Sequence, residues 1–233
     1  MLKASAKCAC GAVAAGTARF AWKSQTDPIA VVWDLDGTLI SSHFTPEAAR
    51  HLNVVSRVDS LRPEFVRASD SFVHYDDDFA RPPGATTNTR TFVRPFVRQT
   101  LSALSGFTAA QYVCTRAQES YCAHVMRELD PHARLFTSVE GGGASEDSDL
   151  TRFLDERALR RTVFLDDHVP NFAKQPRNGV RVRSFDDPAR EQGVTEALRV
   201  VAICALCTLA KDVRPVLAIF QNAEHRALCC DCP

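Results

Sequence analysis

The chain has 233 residues, 45% of them hydrophobic, with 28 basic and 28 acidic side chains. That length suits one domain of ordinary size with a sizeable core, and the balanced charge excludes both a global basic field for nucleic acid and an acidic tail, so no direct nucleic-acid binding is expected. The longest apolar stretch, residues 200–210, is too short to cross a bilayer and reads as a buried helix, so no transmembrane span is expected either.

Residues 1–26 carry Lys3, Lys7, Arg19 and Lys23 but no Asp or Glu, and they are rich in Ala. This is the composition of an organelle transit peptide, so the segment is read as targeting or flexible sequence with a mitochondrial address, the nucleus or cytoplasm being the alternative. From residue 29 short apolar runs alternate with helical patterns: strands at 29–33, 111–114, 162–165 and 180–182, and helices at 95–104, 119–129 and 195–210. Strands separated by helices imply parallel β–α units, hence an α/β fold with a doubly wound sheet whose ligand sits at the carboxyl ends of the strands. The domain is expected over 27–220. Residues 41–90 break the rhythm with Pro46, Pro63, Pro82, Pro83 and Gly84, and read as an irregular insertion placed to cap the site. Residues 221–233 form a Cys-rich tail; the nine cysteines lack paired zinc-finger spacing and read as reduced thiols.

Three strand ends carry chemistry. Val31-Val32-Trp33-Asp34-Leu35-Asp36-Gly37 delivers two carboxylates, one residue apart, into a glycine turn where amide N–H groups can approach a phosphate. Asp34 is the expected nucleophile and Asp36 the general acid and base. A calcium loop would follow a helix and end in a Glu, whereas here an apolar strand precedes and Thr38-Leu39-Ile40 follows. The run Tyr112-Val113-Cys114-Thr115 ends in a hydroxyl suited to a phosphate oxygen, a weak signal alone. Val163-Phe164-Leu165-Asp166-Asp167 ends in paired carboxylates whose mutual repulsion a divalent cation would relieve. Asp34, the main-chain carbonyl of Asp36 and Asp167 are the expected Mg²⁺ ligands.

Asp34-Leu35-Asp36-Gly37-Thr38-Leu39 resembles the first motif of the haloacid dehalogenase superfamily, and Ile40-Ser41-Ser42-His43 resembles its branch of RNA polymerase carboxy-terminal-domain and NLI-interacting-factor-like (Dullard-type) phosphatases. Phe92-Val93-Arg94-Pro95 resembles that branch's entry to the helix after the insertion. Thr115, Tyr121 and Leu129-Asp130-Pro131 resemble its second motif and helix, and Leu165 to Pro170 with Gln175 to Val180 its fourth motif and the next strand. Asp212-Val213-Arg214-Pro215 resembles the closing helix. The resemblance implies Mg²⁺-dependent dephosphorylation of phosphoserine or phosphothreonine in a phosphoprotein substrate, through an aspartyl-phosphate.

The third motif departs from the pattern. Ser148-Asp149-Leu150-Thr151 matches its run, but Ser148 stands where the family places a lysine, and no lysine occurs between Lys23 and Lys174. Arg152 is the expected substitute for binding phosphate, with Lys174 as a second source of charge. The missing lysine also keeps open a non-enzymatic reading, a presequence receptor associated with the mitochondrial inner-membrane translocase, to which the family is also similar.

Overall fold

A computed structural model describes residues 28–44, 71–75, 88–117, 119–141, 148–186 and 193–221. The targeting-like segment 1–26, the acidic run 76–78 and the tail beyond Gln221 lie outside the described residues.

The strands β1 (Ile29–Trp33), β5 (Thr108–Cys114), β6 (Ser138–Glu140), β7 (Thr162–Asp166) and β8 (Gly179–Arg181) form one parallel sheet in the order β6-β5-β1-β7-β8. The chain builds outward from β1 on one side through β5 and β6, then returns to build β7 and β8 on the other. The order therefore reverses at β1, and the crevice at its carboxyl end is where such a sheet binds a ligand. The helices α1 (Val97–Ser105), α2 (Glu119–Leu129), the single-turn α3 (Glu156–Leu159), α4 (Gly193–Cys207) and α5 (214–221) complete the doubly wound arrangement.

Strand period divides the core into two layers. Ile29, Val31 and Trp33 on β1, Val113 on β5, and Val163 and Leu165 on β7 pack with Leu101, Val125, Leu129, Val200, Ile203 and Cys204. Val32, Cys114 and Phe164 point the other way, onto Leu150, Leu154, Leu159 and Phe172. Successive strand residues face opposite sides of the sheet, so Asp34 continues the Val32 row and Asp166 the Phe164 row. The parallel register sets Val32 beside Phe164 and Trp33 beside Leu165, which carries both carboxylates to the same side of adjacent strands.

Residues 45–70 and 76–87 of the expected insertion lie outside the described residues. The described part of 41–90 belongs to three short strands, β2 (Ile40–Phe44), β3 (Ser71–Tyr75) and β4 (Asn88–Val93), paired antiparallel in the order β2-β4-β3. Their polar sequences lack the apolar runs that identified the parallel strands. Helix α4 ends at Cys207, and only one face is buried: Val200, Ile203, Cys204 and Cys207 turn inward, while Leu198 and Leu206 are exposed. Among the described residues no helix is long and apolar enough to cross a membrane.

Candidate active site

The turn after β1 is built on one carbonyl. Leu35 C=O accepts from the amides of Thr38, Leu39 and Ile40, at 3.3, 2.9 and 3.1 Å. Gly37 adopts φ +81°, a left-handed conformation that glycine enters without strain. A Cβ at this position would lie 2.6 Å from Asp167 Oδ2, so the absence of a side chain also lets the Asp167 carboxylate lie over the turn. Thr38 fixes it there: its hydroxyl lies 3.4 Å from Asp167 Oδ1 and accepts from the Asp167 amide at 3.2 Å.

Arg94, expected only as part of a helix entry, supports this turn from behind. It is buried, donates to Gly37 C=O at 2.9 Å and to Arg183 C=O, and lies over the Phe185 ring with 5.3 Å to its centroid. Burial lowers its pKa to about 10, and the nearby charges of Glu196 and Asp167 oppose that fall.

Three carboxylates converge in front of the turn. One oxygen from each of Asp34, Asp166 and Asp167 lies within 4.8 Å of the others. Asp34 is 7% exposed and Asp166 fully buried. Burial first, then the charge of Asp166, raises the Asp34 carboxyl well above the ordinary range. Asp166 rises to about 6, chiefly through burial, although it accepts from the His168 amide at 2.7 Å and the Asn171 side chain at 2.8 Å. These are hard oxygen donors whose charges conflict. Opposite oxygens around Mg²⁺ lie about 4.2 Å apart given Mg–O distances of ~2.1 Å, so the trio is of the right size and chemistry for that ion.

Asp34 and Asp167, both expected as ligands, are brought together. Asp166 joins them, a role that sequence reasoning left to the adjacent residue; the register of β1 with β7 is the signal that finds it. The Asp36 side chain stands apart from the trio. The residue is exposed, and its Oδ1 accepts from Tyr121 Oη at 2.6 Å. Burial of the carboxyl group, and less so the charge of Asp167, raises it above the ordinary range, offset in part by hydrogen bonds from Tyr121 and Ser42.

Thr115 follows β5 at the same sheet edge, nearly buried, with its hydroxyl accepting from the Ala117 amide at 3.2 Å. Its neighbour Cys114 has a thiol pushed up to about 12 by burial, then by the charges of Asp34 and Asp166, and drawn slightly down by Arg152. Arg152 thus contributes positive charge at the rim of the site while remaining exposed at the end of the 3-10 turn Leu150–Arg152. The third-motif run is anchored: Asp149 caps the Thr151 amide at 2.9 Å, and Gln175 bonds both Asp149 and the Leu150 amide. Ser148 is buried where the lysine would stand. Salt bridges join Arg214 to Asp212 and Glu156, Arg199 to Glu196, and Arg160 to Glu156.

Comparison with known proteins bears on the family and the fold. The model of the NLI interacting factor-like phosphatase family matches residues 29–214. A structure of a variant of fission yeast RNA polymerase II CTD phosphatase Fcp1, bound to beryllium fluoride, superposes with a TM-score of 0.52 at 20% identity, covering 92% of this chain and 59% of that one. A second structure of Fcp1, described as an essential RNA polymerase II CTD phosphatase, gives a TM-score of 0.52 at 20% identity and covers 90% of this chain and 56% of its own. The chain thus spans less than two thirds of the length of either relative, and at this identity the likeness is one of fold. No curated protein matches.

Proposed function

This chain belongs to the NLI interacting factor-like phosphatase family, and from that premise we propose that it is a Mg²⁺-dependent protein serine/threonine phosphatase working through an aspartyl-phosphate. The observation that carries the reading is the division of labour at the β1 turn: a buried Asp34 within the acid trio, and an Asp36 held apart from it by Tyr121.

In the first step an Asp34 carboxylate oxygen bonds to phosphorus as the bond from phosphorus to the seryl or threonyl oxygen breaks, and Asp36 gives its proton to that leaving oxygen. In the second, water attacks the phosphorus of the acyl phosphate and surrenders a proton to Asp36, which releases phosphate and restores Asp34. Asp34, Asp167 and the Asp36 carbonyl would hold the cation, with Asp166 beside them. When bound, Mg²⁺ would supply positive charge to offset the clustered acids and the incoming phosphate. Thr115 is assigned to a phosphate oxygen and Arg152 to attraction of the incoming phosphate at the rim. We extend the proposal to a mitochondrial address on the strength of the acid-free residues 1–26.

The translocase-receptor reading is not favoured, since the acids that a degenerate binding module would be free to lose are present and gathered. The test is hydrolysis of an aryl phosphate and of phosphoserine and phosphothreonine peptides by the purified chain with Mg²⁺. Asp34→Asn is expected to lower activity by roughly 10⁴-fold or more, since removal of a nucleophile in other enzymes leaves only residual catalysis. Equal activity of wild type and variant on all substrates would defeat the proposal.

A further inference from the structure

Asp36 is served by hydroxyls from three separate elements. Tyr121 on α2 donates to Oδ1 at 2.6 Å, Ser42 Oγ on β2 lies 2.8 Å from Tyr121 Oη, and Thr91 Oγ1 on β4 lies 2.8 Å from Ser42 Oγ. A tyrosine hydroxyl has a single proton. With that proton committed to Asp36, Ser42 meets Tyr121 Oη only as a donor, a role it also has toward the Asp36 carboxyl, and the Thr91 contact is a donation to Ser42. The chain of donors therefore runs one way, from the buried Thr91 toward the carboxylate.

This direction has a chemical consequence. A carboxyl oxygen that accepts a hydrogen bond is the poorer site for the carboxyl's own proton. When Asp36 is in its acid form, donation to Oδ1 leaves Oδ2 to carry the transferable proton and fixes rotation of the group about Cβ–Cγ. General acid catalysis depends on the proton lying within hydrogen-bond reach of the leaving oxygen. We propose that Tyr121, backed by Ser42 and Thr91, is a positioning residue that selects the Asp36 oxygen from which the leaving group is protonated. Strands β2 and β4 thereby become part of the acid's support. The inference rests on the phosphatase reading above and gives the Tyr121 contact with Asp36 a part in proton transfer, with Ser42 and Thr91 behind it.

The dependence of rate on leaving group separates positioning from general disruption. A seryl alkoxide needs protonation to depart, whereas 2,4-dinitrophenolate does not. Tyr121→Phe keeps the ring and removes the donor. With saturating Mg²⁺, kcat/KM on a phosphoserine peptide is expected to fall roughly 10- to 100-fold, a part of the ~10²–10⁴ that a positioned acid contributes, while kcat/KM on 2,4-dinitrophenyl phosphate stays within about threefold. Ser42→Ala is expected to show the same selectivity at smaller size, and it carries the test if thermal unfolding shows that Tyr121→Phe does not fold. In an Asp36→Asn background Tyr121→Phe is expected to add no further loss on the peptide. Equal losses on both substrates, no loss on either, or a full further loss in the Asp36→Asn background would overturn the proposal. A wild type that hydrolyses neither substrate would instead overturn the phosphatase reading, and this inference with it.

Discussion

Asp34 and Asp36 stand two residues apart on one turn and meet opposite surroundings. Around Asp34 are two more carboxylates, and burial raises the cost of keeping all three charged. Around Asp36 are hydroxyls that donate to it and to one another. The first pocket gathers like charges, whereas the second offsets burial in part with hydrogen-bond donors. A strand end can thus place two chemically identical groups in different surroundings, which the proposed function uses as nucleophile and acid, because the neighbours come from different elements: β7 for one, α2 and β2 for the other.

The largest expected effect distinguishes the pockets through the metal. Mg²⁺ is expected to raise the melting temperature of wild type and of Asp36→Asn, whose main-chain carbonyl is retained, but to leave Asp167→Asn unmoved. Activity of Asp167→Asn is expected to drop by roughly 100-fold or more, since even outer-shell partners of a metal site are worth about 10–100-fold. Differential scanning fluorimetry with Mg²⁺ and with EDTA checks this. A Mg²⁺ response that survives in Asp167→Asn and disappears in Asp36→Asn would reverse the comparison.

Of intermediate size is the penalty for crowding the acids. Burial raises the Asp166 carboxyl to about 6 from its ordinary 3.8. A raised value means that the folded chain binds this proton more tightly than the unfolded one, so the sign is set: stability falls as pH climbs from about 4 through about 6, and the whole penalty is present above that. At neutral pH it is on the order of 2–3 kcal/mol. Metal-free protein is therefore expected to melt higher near pH 5 than near pH 7.5. Asp166→Asn, which can still accept from the His168 amide, is expected to flatten that dependence, and saturating Mg²⁺ to do the same for wild type. Identical profiles for metal-free wild type and Asp166→Asn would show that the acid pocket carries no such strain.

How much of this was legible in the sequence follows from how far each contact reaches. The bounds of β1 and α2 agree residue for residue with the expected strand and helix, because an apolar run and a 3.6-residue period are local signals. The place of Asp34 at a strand end was equally local. Strands β2 and β4 were illegible, since Ile40-Ser41-Ser42-His43-Phe44 has no clean alternation and its partner lies some fifty residues away. Tyr121 appeared as part of a motif without a role, its bond to Asp36 spanning 85 residues. Arg94 read as a helix entry because nothing in an Arg-Pro pair reveals that the guanidinium turns inward to the Gly37 carbonyl. Gly37 was read correctly as a turn, but its second use, making room for Asp167, needed the β7 end in place.

The smallest expected effect belongs to Arg152, and it bears on the gathered like charges of the acid pocket. This arginine is exposed, and its field reaches Cys114, which also feels Asp34 and Asp166. An exposed charge acts through water, where even a 4 Å separation is worth only about 1 kcal/mol, and physiological salt screens beyond ~8 Å. Arg152→Ala is therefore expected to raise KM for a phosphopeptide about two- to fivefold, with kcat within about twofold, on the ~1 kcal/mol available to such a charge. The effect is expected to shrink as salt is raised. The third-motif lysine of the family pattern, for which the buried Ser148 stands here, is expected to act differently, on the transition state and hence on kcat. Should Arg152→Ala instead lower kcat by about a hundredfold at unchanged KM, a loss of ~3 kcal/mol confined to the transition state, the guanidinium would be acting as that lysine does, reaching over the Cys114 edge onto Asp34 itself. The contrast between the two aspartates would then lie in where their partners come from and no longer in whether the protein supplies them.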